Sequence, residues 1–325
     1  MYKLNYEYFI AKRIIGSKAY KSSISAPIIK IGIAAIAIGL VVMMIAIATG
    51  IGLQQKIREK VVAFNGEIII SNFDSNNSQE SGKPVSLDQD FYPEFNSVQG
   101  VNHIQAVATK LGIIRTETDF EAIILKGVGA DYKWAYFKDF LKEGRLPDYS
   151  KKRNEEVLIS QYLANRMSFK LNDTFTTLFR KDDPNKPPSM ITYTIVGIYN
   201  SGFKDFDQTY VIGDLRHLQR LNKWAPNQTG HFEVFVDNYN NLNTIYNAVY
   251  NHTPSVLNVT TIEQKFGSIF EWIKIFVKNI QPIFEDFIQR GTITKEKLQL
   301  KTSWRTNEFG FYDLNKNAIF IVEDI

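Results

Sequence analysis

A run of 23 residues without a single charge, Ile31 to Leu53, constrains this chain more than any other feature. As a helix rising about 1.5 Å per residue, it is long enough to cross a hydrocarbon core about 30 Å thick. The run therefore predicts one membrane span. The remainder supplies a body: of 325 residues, 44% are apolar and 13% aromatic, with 23 Phe and 16 Tyr, ample material for a buried core. Mean hydropathy is −0.19, the value of a mostly water-soluble protein and not of a bundle of membrane helices.

Charge sharpens the reading. The net charge is +4, but residues 1–30 alone carry +5 and everything after Lys30 sums to −1. Basicity confined to the flank of a span marks a cytoplasmic end of a membrane helix, whereas a nucleic-acid partner would need a basic face on the body. The N-terminus is read as cytoplasmic and nucleic acid is excluded as a partner. A cleavable leader is the rival reading, but its apolar part would be only about 7 to 15 residues long, so a retained anchor is favoured. The chain has no cysteine, which a domain of this size tolerates in any compartment.

The flanks divide the chain. Leu4, Tyr8, Ala11 and Ile15 recur at helical spacing among Lys3, Lys12, Arg13 and Lys18, so residues 1–26 are expected to form a cytoplasmic or interfacial amphipathic helix before the chain turns in at Pro27. Residues 27–53 form the transmembrane helix. Within it Gly32, Ala35, Gly39, Ala46 and Gly50 lie on one stripe, the small-residue surface that lets a second membrane helix approach closely.

After the span the period changes from helix to strand. Short runs rich in Ile, Val, Thr, Tyr and Phe at Glu67–Ser71, His103–Arg115, Phe120–Gly127, Glu156–Ser160, Asp173–Phe179, Ile191–Tyr199 and His231–Asp237 read as strands. Helical patterns fit Asp131–Phe137, Gln161–Met167, Asp214–Trp224 and Asn240–Asn251. The fold class is α+β: a single N-terminal transmembrane helix followed by a two-lobed mixed α/β domain over residues 54–262. Its inner lobe is drawn at about 54–130 and 238–262 around an inserted β-rich lobe at about 131–237. Between two strand candidates stands Arg180, Lys181, Asp182, Asp183, Pro184, Asn185, Lys186, Pro187, Pro188, Ser189 and Met190, whose Pro and Asp content predicts a protruding hairpin tip. Residues 263–325 begin with Phe266, Phe270, Ile273, Val277, Ile280, Phe284 and Phe287 at alternating four-three spacing, an amphipathic helix interrupted at Pro282, and end in a strand-like Ala318–Val322.

No catalytic constellation stands out. His103, His217, His231 and His252 match no zinc spacing, and there is no cysteine to join them. Gly82-Lys83 runs into Pro84 and lacks the upstream glycine of a phosphate-binding loop, so the chain is not expected to hydrolyse ATP; Gly127-Val128-Gly129 has Tyr132 where a dinucleotide loop needs its third glycine. No metal or cofactor is expected, and binding, anchoring or transport is favoured over enzymatic activity.

The order of features carries a resemblance. Glu7–Lys18 (EYFIAKRIIGSK), the span, Gly50–Ser71 (GIGLQQKIREKVVAFNGEIIIS), Ile124–Asp131 (ILKGVGAD), Glu156–Thr174 (EVLISQYLANRMSFKLNDT) and Thr194–Asp207 (TIVGIYNSGFKDFD) together resemble the FtsX-like permease superfamily, most closely its LolC/LolE lipoprotein-releasing type, with a MacB-like periplasmic domain. The resemblance implies an inner-membrane permease subunit whose body lies in the periplasm and which works as a mechanical transmitter. Its implied partners are a separate ABC ATPase, a second permease subunit, and a periplasmic lipoprotein or carrier that docks on the hairpin at Arg180–Met190. Family members carry three further spans, roughly 60 residues before loops, whereas 49 residues follow Phe276 here; the C-terminal membrane helices are expected to be missing. A membrane-anchored periplasmic interaction module without transport activity is the alternative.

Overall fold

The computed structural model describes residues 9, 10, 13, 25–73, 79–116, 119–181, 183, 185–271, 298–301, 310–313 and 318–322. They fall into two units. One comprises residues 1–54 and 272–325, the other Gln55–Glu271.

Helix α1, Ser25–Asn65, holds the uncharged run and extends through the helical pattern after it. Among the described residues it is the one helix long and apolar enough to span a membrane, and its apolar stretch is unburied in the isolated chain. Of the N-terminal amphipathic stretch only Phe9, Ile10 and Arg13 are described, all helical; Leu4, Tyr8, Ala11 and Ile15 lie outside the described residues. So does the amphipathic stretch beyond Glu271. The same unit holds a small antiparallel sheet in which β15 (Ala318–Val322) lies between β13 (Leu298–Lys301) and β14 (Gly310–Asp313).

The second unit is built on a ten-stranded mixed sheet. Its strands are β1 (Ile68–Asn72), β3 (Val101–Arg115), β4 (Phe120–Val128), β5 (Leu141–Gly144), β6 (Glu156–Ser160), β7 (Thr174–Phe179), β8 (Ser189–Tyr199), β9 (Tyr210–Asp214), β11 (His231–Val236) and β12 (Leu257–Thr261). A separate two-stranded ladder joins β2 (Val85–Ser86) to β10 (Gln228–Thr229). The order across the main sheet is β12-β1-β11-β3-β4-β9-β6-β8-β5, and β7 pairs with both β3 and β8. Strands β3, β4, β9, β6, β8 and β7 therefore close a ring. The ring needs Gly112 on β3, because a Cβ there would stand 2.6 Å from the Thr177 methyl of β7.

Alternation fills the ring. On β7 Phe175, Thr177 and Phe179 point in, and they meet Ile114, Ile123, Leu125, Val157, Tyr193 and Val211 in one core. Helices α2 (Gln161–Met167) and α4 (Leu215–Leu221) pack on this core through Leu163, Met167, Leu215 and Leu218. Both start where a side chain caps the backbone: Ser160 accepts from Leu163 N at 3.0 Å and Asp214 from Arg216 N at 2.9 Å. A one-turn helix α3 (Lys204–Asp207) leads into β9. A second core lies under β12, β1, β11 and the first half of β3, where α5 (Leu242–His252) contributes Leu242, Ile245 and Val249 and the loop after β2 contributes Phe91 and Phe95. The short helix α6 (Ile262–Lys265) follows β12 behind a capping box between Thr261 and Gln264.

Two expectations need correction. Asp131–Phe137 is not an α-helix but a loop with 3-10 turns at Trp134–Tyr136 and Lys138–Phe140, because its aromatic residues are drawn toward different neighbours and not along one stripe. The lobes also share the chain differently from the division at 130 and 237. Residues 231–236, drawn in the inserted lobe, lie between β1 and β3, while the second half of β3 and all of β4, drawn in the inner lobe, are ring walls. Strand β3 is long enough to serve both cores.

Candidate functional site

The last turns of α1 are gripped by the body. Ile57, Val61, Val62 and Phe64 face a core built from the loop after β4, the outer side of β8 and β9, and Phe266 and Phe270. Five aromatic rings surround that of Phe64: Phe206 at 4.8 Å between centroids, Phe137 at 5.2, Tyr199 and Tyr210 at 5.8 and Phe140 at 6.1. Edge-to-face and tilted pairs of this kind add to the area they bury. Polar ties ring the cluster. Arg58 stacks over Tyr239 at 4.1 Å, Tyr239 donates to Glu263 at 2.5 Å, and Lys60 donates to the Gly202 carbonyl at 3.1 Å. The helix stops at Gly66, whose φ of +65° is left-handed and whose N–H reaches the Val62 carbonyl at 2.7 Å. A Cβ at Gly66 would lie 2.8 Å from the Val234 carbonyl oxygen, so glycine is required twice over.

Beneath this foot lies an ion pair. Lys126 of β4 and Glu233 of β11, each 1% exposed, meet at 2.6 Å, and Gln105 donates to the other Glu233 oxygen at 2.9 Å. Lys126 Nζ also donates to the carbonyl of Phe64, one of the helix-end acceptors that α1 itself cannot satisfy. One ammonium thus links the helix end, the ring wall and the inner sheet. Burial penalises the Glu233 carboxylate, but Lys126 and His231 outweigh that and hold it well below the usual carboxylate range. Burial pulls Lys126 down while Glu233 opposes it. His231 lies 3.7 Å from the same carboxylate and is itself pushed down by burial. Beside the pair is a cavity of about 120 Å³ whose lining includes Asn65, Thr109, Lys126, His231, Glu233 and Lys265.

Glu67 forms the third element of the foot. Its N–H bonds the Val234 carbonyl at 2.9 Å, its carbonyl accepts from Ile262 at 3.0 Å, and its carboxylate accepts from Val236 N at 3.1 Å. Burial raises its pKa to about 7 against the hydrogen bond from Val236 and the charge of Arg58.

The residues singled out by sequence are elsewhere. On α1, Gly32, Ala35, Gly39 and Ala46 are exposed and Gly50 is buried, and a Cβ at Gly32 or Gly39 would meet nothing within 4 Å. Segment 180–188 joins β7 to β8 as a hairpin whose strands pair from Thr174↔Thr194 to Phe179↔Ser189. At its tip Asp183 accepts from Asn185 N at 3.1 Å and bridges Lys186 at 3.5 Å; Asp182 and Pro184 lie outside the described residues. Met190 does not stand alone. It pairs with Leu178, Leu178 with Ile113 and Ile113 with Ala122, one outward row across four strands. Met190 is 69% exposed and Ile113 46%, and Leu111 and Phe120 nearby are 48% and 74% exposed, an apolar surface that the described residues leave uncovered.

The four histidines are apart. His103 shares a hydrogen bond with the Asp131 carbonyl, His217 with that of Asn154 and His252 with that of Ala248. Among the described residues no group of His, Asp and Glu could hold a metal ion. Sequence reasoning missed the foot. Its one advance signal was Lys126, directly after the apolar run Ile123–Leu125, a charge where a buried strand has no solvent to offer.

The family model for the MacB-like periplasmic core domain matches residues 31–249. No curated protein matches the chain in sequence. Solved structures similar to it include the following two. One is the extracellular domain of the noncanonic ABC-type transporter YknZ from Gram-positive bacteria, 15% identical with a TM-score of 0.39, covering 60% of this chain and 100% of that one. The other is the periplasmic region of MacB from Actinobacillus actinomycetemcomitans, 13% identical with a TM-score of 0.41, covering 64% of this chain and 95% of that one.

Proposed function

We propose, from the premise that this chain belongs to the family of MacB-like periplasmic core domains, that it is an inner-membrane permease subunit of an ABC transporter, moving lipoproteins or other envelope cargo. The observation that carries the reading is the joint match: the family model begins at residue 31 and so takes in the apolar helix α1 together with the sheet-rich body. Domains of this family belong to ABC-transporter permeases, which work in a membrane with an ATPase partner and are not themselves enzymes. Our finer reading places the chain with the FtsX-like permeases of LolC/LolE type, the N-terminus in the cytoplasm and the body in the periplasm. A second permease subunit would pack on the stripe of Gly32, Ala35, Gly39, Ala46 and Gly50.

Work would reach the body through α1. Phe64 in its aromatic cage and the Lys126–Glu233 pair support this, since they tie the foot of the helix to both cores and leave little slack for a displacement to be lost. At the far side of the ring, the hairpin Arg180–Met190 and the apolar row at its base would receive a periplasmic lipoprotein or carrier. Deleting residues 181–189 and measuring carrier pull-down tests the tip; unchanged binding would remove the hairpin from the account.

A membrane-anchored interaction module without transport is the second reading, favoured by the same uncovered row, which suits a docking partner whether or not ATP is spent. Purification of the full chain in detergent separates the two. A permease subunit brings down an ABC ATPase, and a pure interaction module does not.

A further inference from the structure

The geometry points to a binding site for a small oxyanion, of the phosphate or carboxylate class, in the cavity beside the foot of α1. Its volume of about 120 Å³ holds several waters or one small polyatomic ion, since one water needs roughly 10–15 Å³ on this measure. The charges around it do not balance. Lys126 and Glu233 neutralise each other at 2.6 Å, and the second Glu233 oxygen is taken by Gln105 at 2.9 Å. Lys265 lines the same cavity and forms no ion pair among the described residues, so two ammonium groups face one carboxylate; burial pulls Lys265 down while Glu233 opposes it.

Donors are in excess too. The Lys126 ammonium has three, of which the Phe64 carbonyl and Glu233 engage two. His231, 8% exposed, lies 3.7 Å from Glu233 and adds its ring to the lining. Thr109 adds a hydroxyl to the lining. A cation entering here would face two lysines. An anion would find one uncompensated charge and donors on three sides, in a setting where charge-assisted hydrogen bonds are strongest.

The site is not isolated from α1. An anion on the third donor of Lys126 leaves the bond to the Phe64 carbonyl intact and fixes the ammonium that makes it, so occupancy stiffens the last turn of the helix. The inference stands whether or not the chain is a transporter subunit, because it rests on the body alone.

The test uses the full chain in a phosphate-free detergent, titrated with inorganic phosphate at constant ionic strength and followed by calorimetry and amide hydrogen exchange. Saturable binding is expected, with slower exchange at residues 61–66. Lys265→Ala, with its thermal unfolding temperature measured as the control for folding, should weaken binding about tenfold or more, Lys265→Arg should restore it, and Lys186→Ala at the hairpin tip should do nothing. A parallel titration with a short-chain phosphatidate assigns the source: tighter than phosphate indicates a lipid headgroup, weaker a free anion. Absence of saturable binding, full affinity in Lys265→Ala, or an effect reproduced by chloride alone would overturn the proposal.

Discussion

Two apolar surfaces of the body differ in one respect, whether the described residues supply their partners. At the foot of α1, Phe64 is met by five rings and its carbonyl by a buried lysine. On the outer wall of the ring, Met190, Leu178, Ile113 and Ala122 line up in register with none of the described residues over them, and Phe120 is 74% exposed. Residue types are similar at the two places. Completion is what separates them, and it underlies our proposal that the foot holds and transmits while the wall recognises a partner.

That contrast fixes what mutations should do. Phe64→Ala should cost the most, about 4 kcal/mol of body stability, read by denaturant or thermal unfolding, because it empties the centre of a cage that cannot collapse. A loss under 1 kcal/mol would mean that the foot is no more complete than the wall.

Lys126→Met should cost about 3 kcal/mol by leaving Glu233 buried and unpaired. The double variant Lys126→Met/Glu233→Leu should recover much of that, and a double-mutant cycle reads the coupling. Additive losses would show that the two charges do not form one unit.

The two buried glutamates predict opposite responses to pH. Glu67, raised from 4.5 to about 7, is protonated in the folded state where the unfolded chain has already ionised. Its contribution is therefore lost as pH rises from about 4.5 through 7, by at most about 3 kcal/mol, and Glu67→Gln should flatten that slope in the unfolding free energy. Burial sets the size of the effect, and the Val236 N–H and the charge of Arg58 on α1 oppose it; Tyr136 and Tyr239 also lie within reach of the Glu67 carboxylate. Glu233 has the opposite sign, since its lowered pKa stabilises the fold above the ordinary carboxylate range and the contribution is lost on acidification.

The wall should give the smallest stability change. Ile113→Ser and Met190→Ser are expected to stay within about 0.5 kcal/mol of the parent while weakening any carrier captured through the hairpin. A large loss of stability in either variant would place that row with the foot.

Much of the fold was legible because its signals are local. The strand runs at Glu156–Ser160 and Ile191–Tyr199 announce themselves by β-branched and aromatic residues, and α2 by Ser160 before an apolar period. The hairpin followed from its turn residues. The foot was not legible, because Phe64, Lys126 and Glu233 are brought together only when β4 joins β3 and β3 joins β11, across 107 residues between the two charges. Asp131–Phe137 misled for the same reason: its aromatic residues answer to tertiary neighbours and not to a helical stripe. The apolar row is likewise a product of register. No single strand contains it, and Met190 alone could not reveal it.

The central claim is that this is the membrane subunit of an ATP-driven machine, and it is tested most directly by purifying the full chain from its native membrane in detergent and identifying what accompanies it by mass spectrometry. The account predicts an ABC ATPase in near-stoichiometric amount. A chain that purifies with envelope proteins but no nucleotide-binding subunit would contradict it.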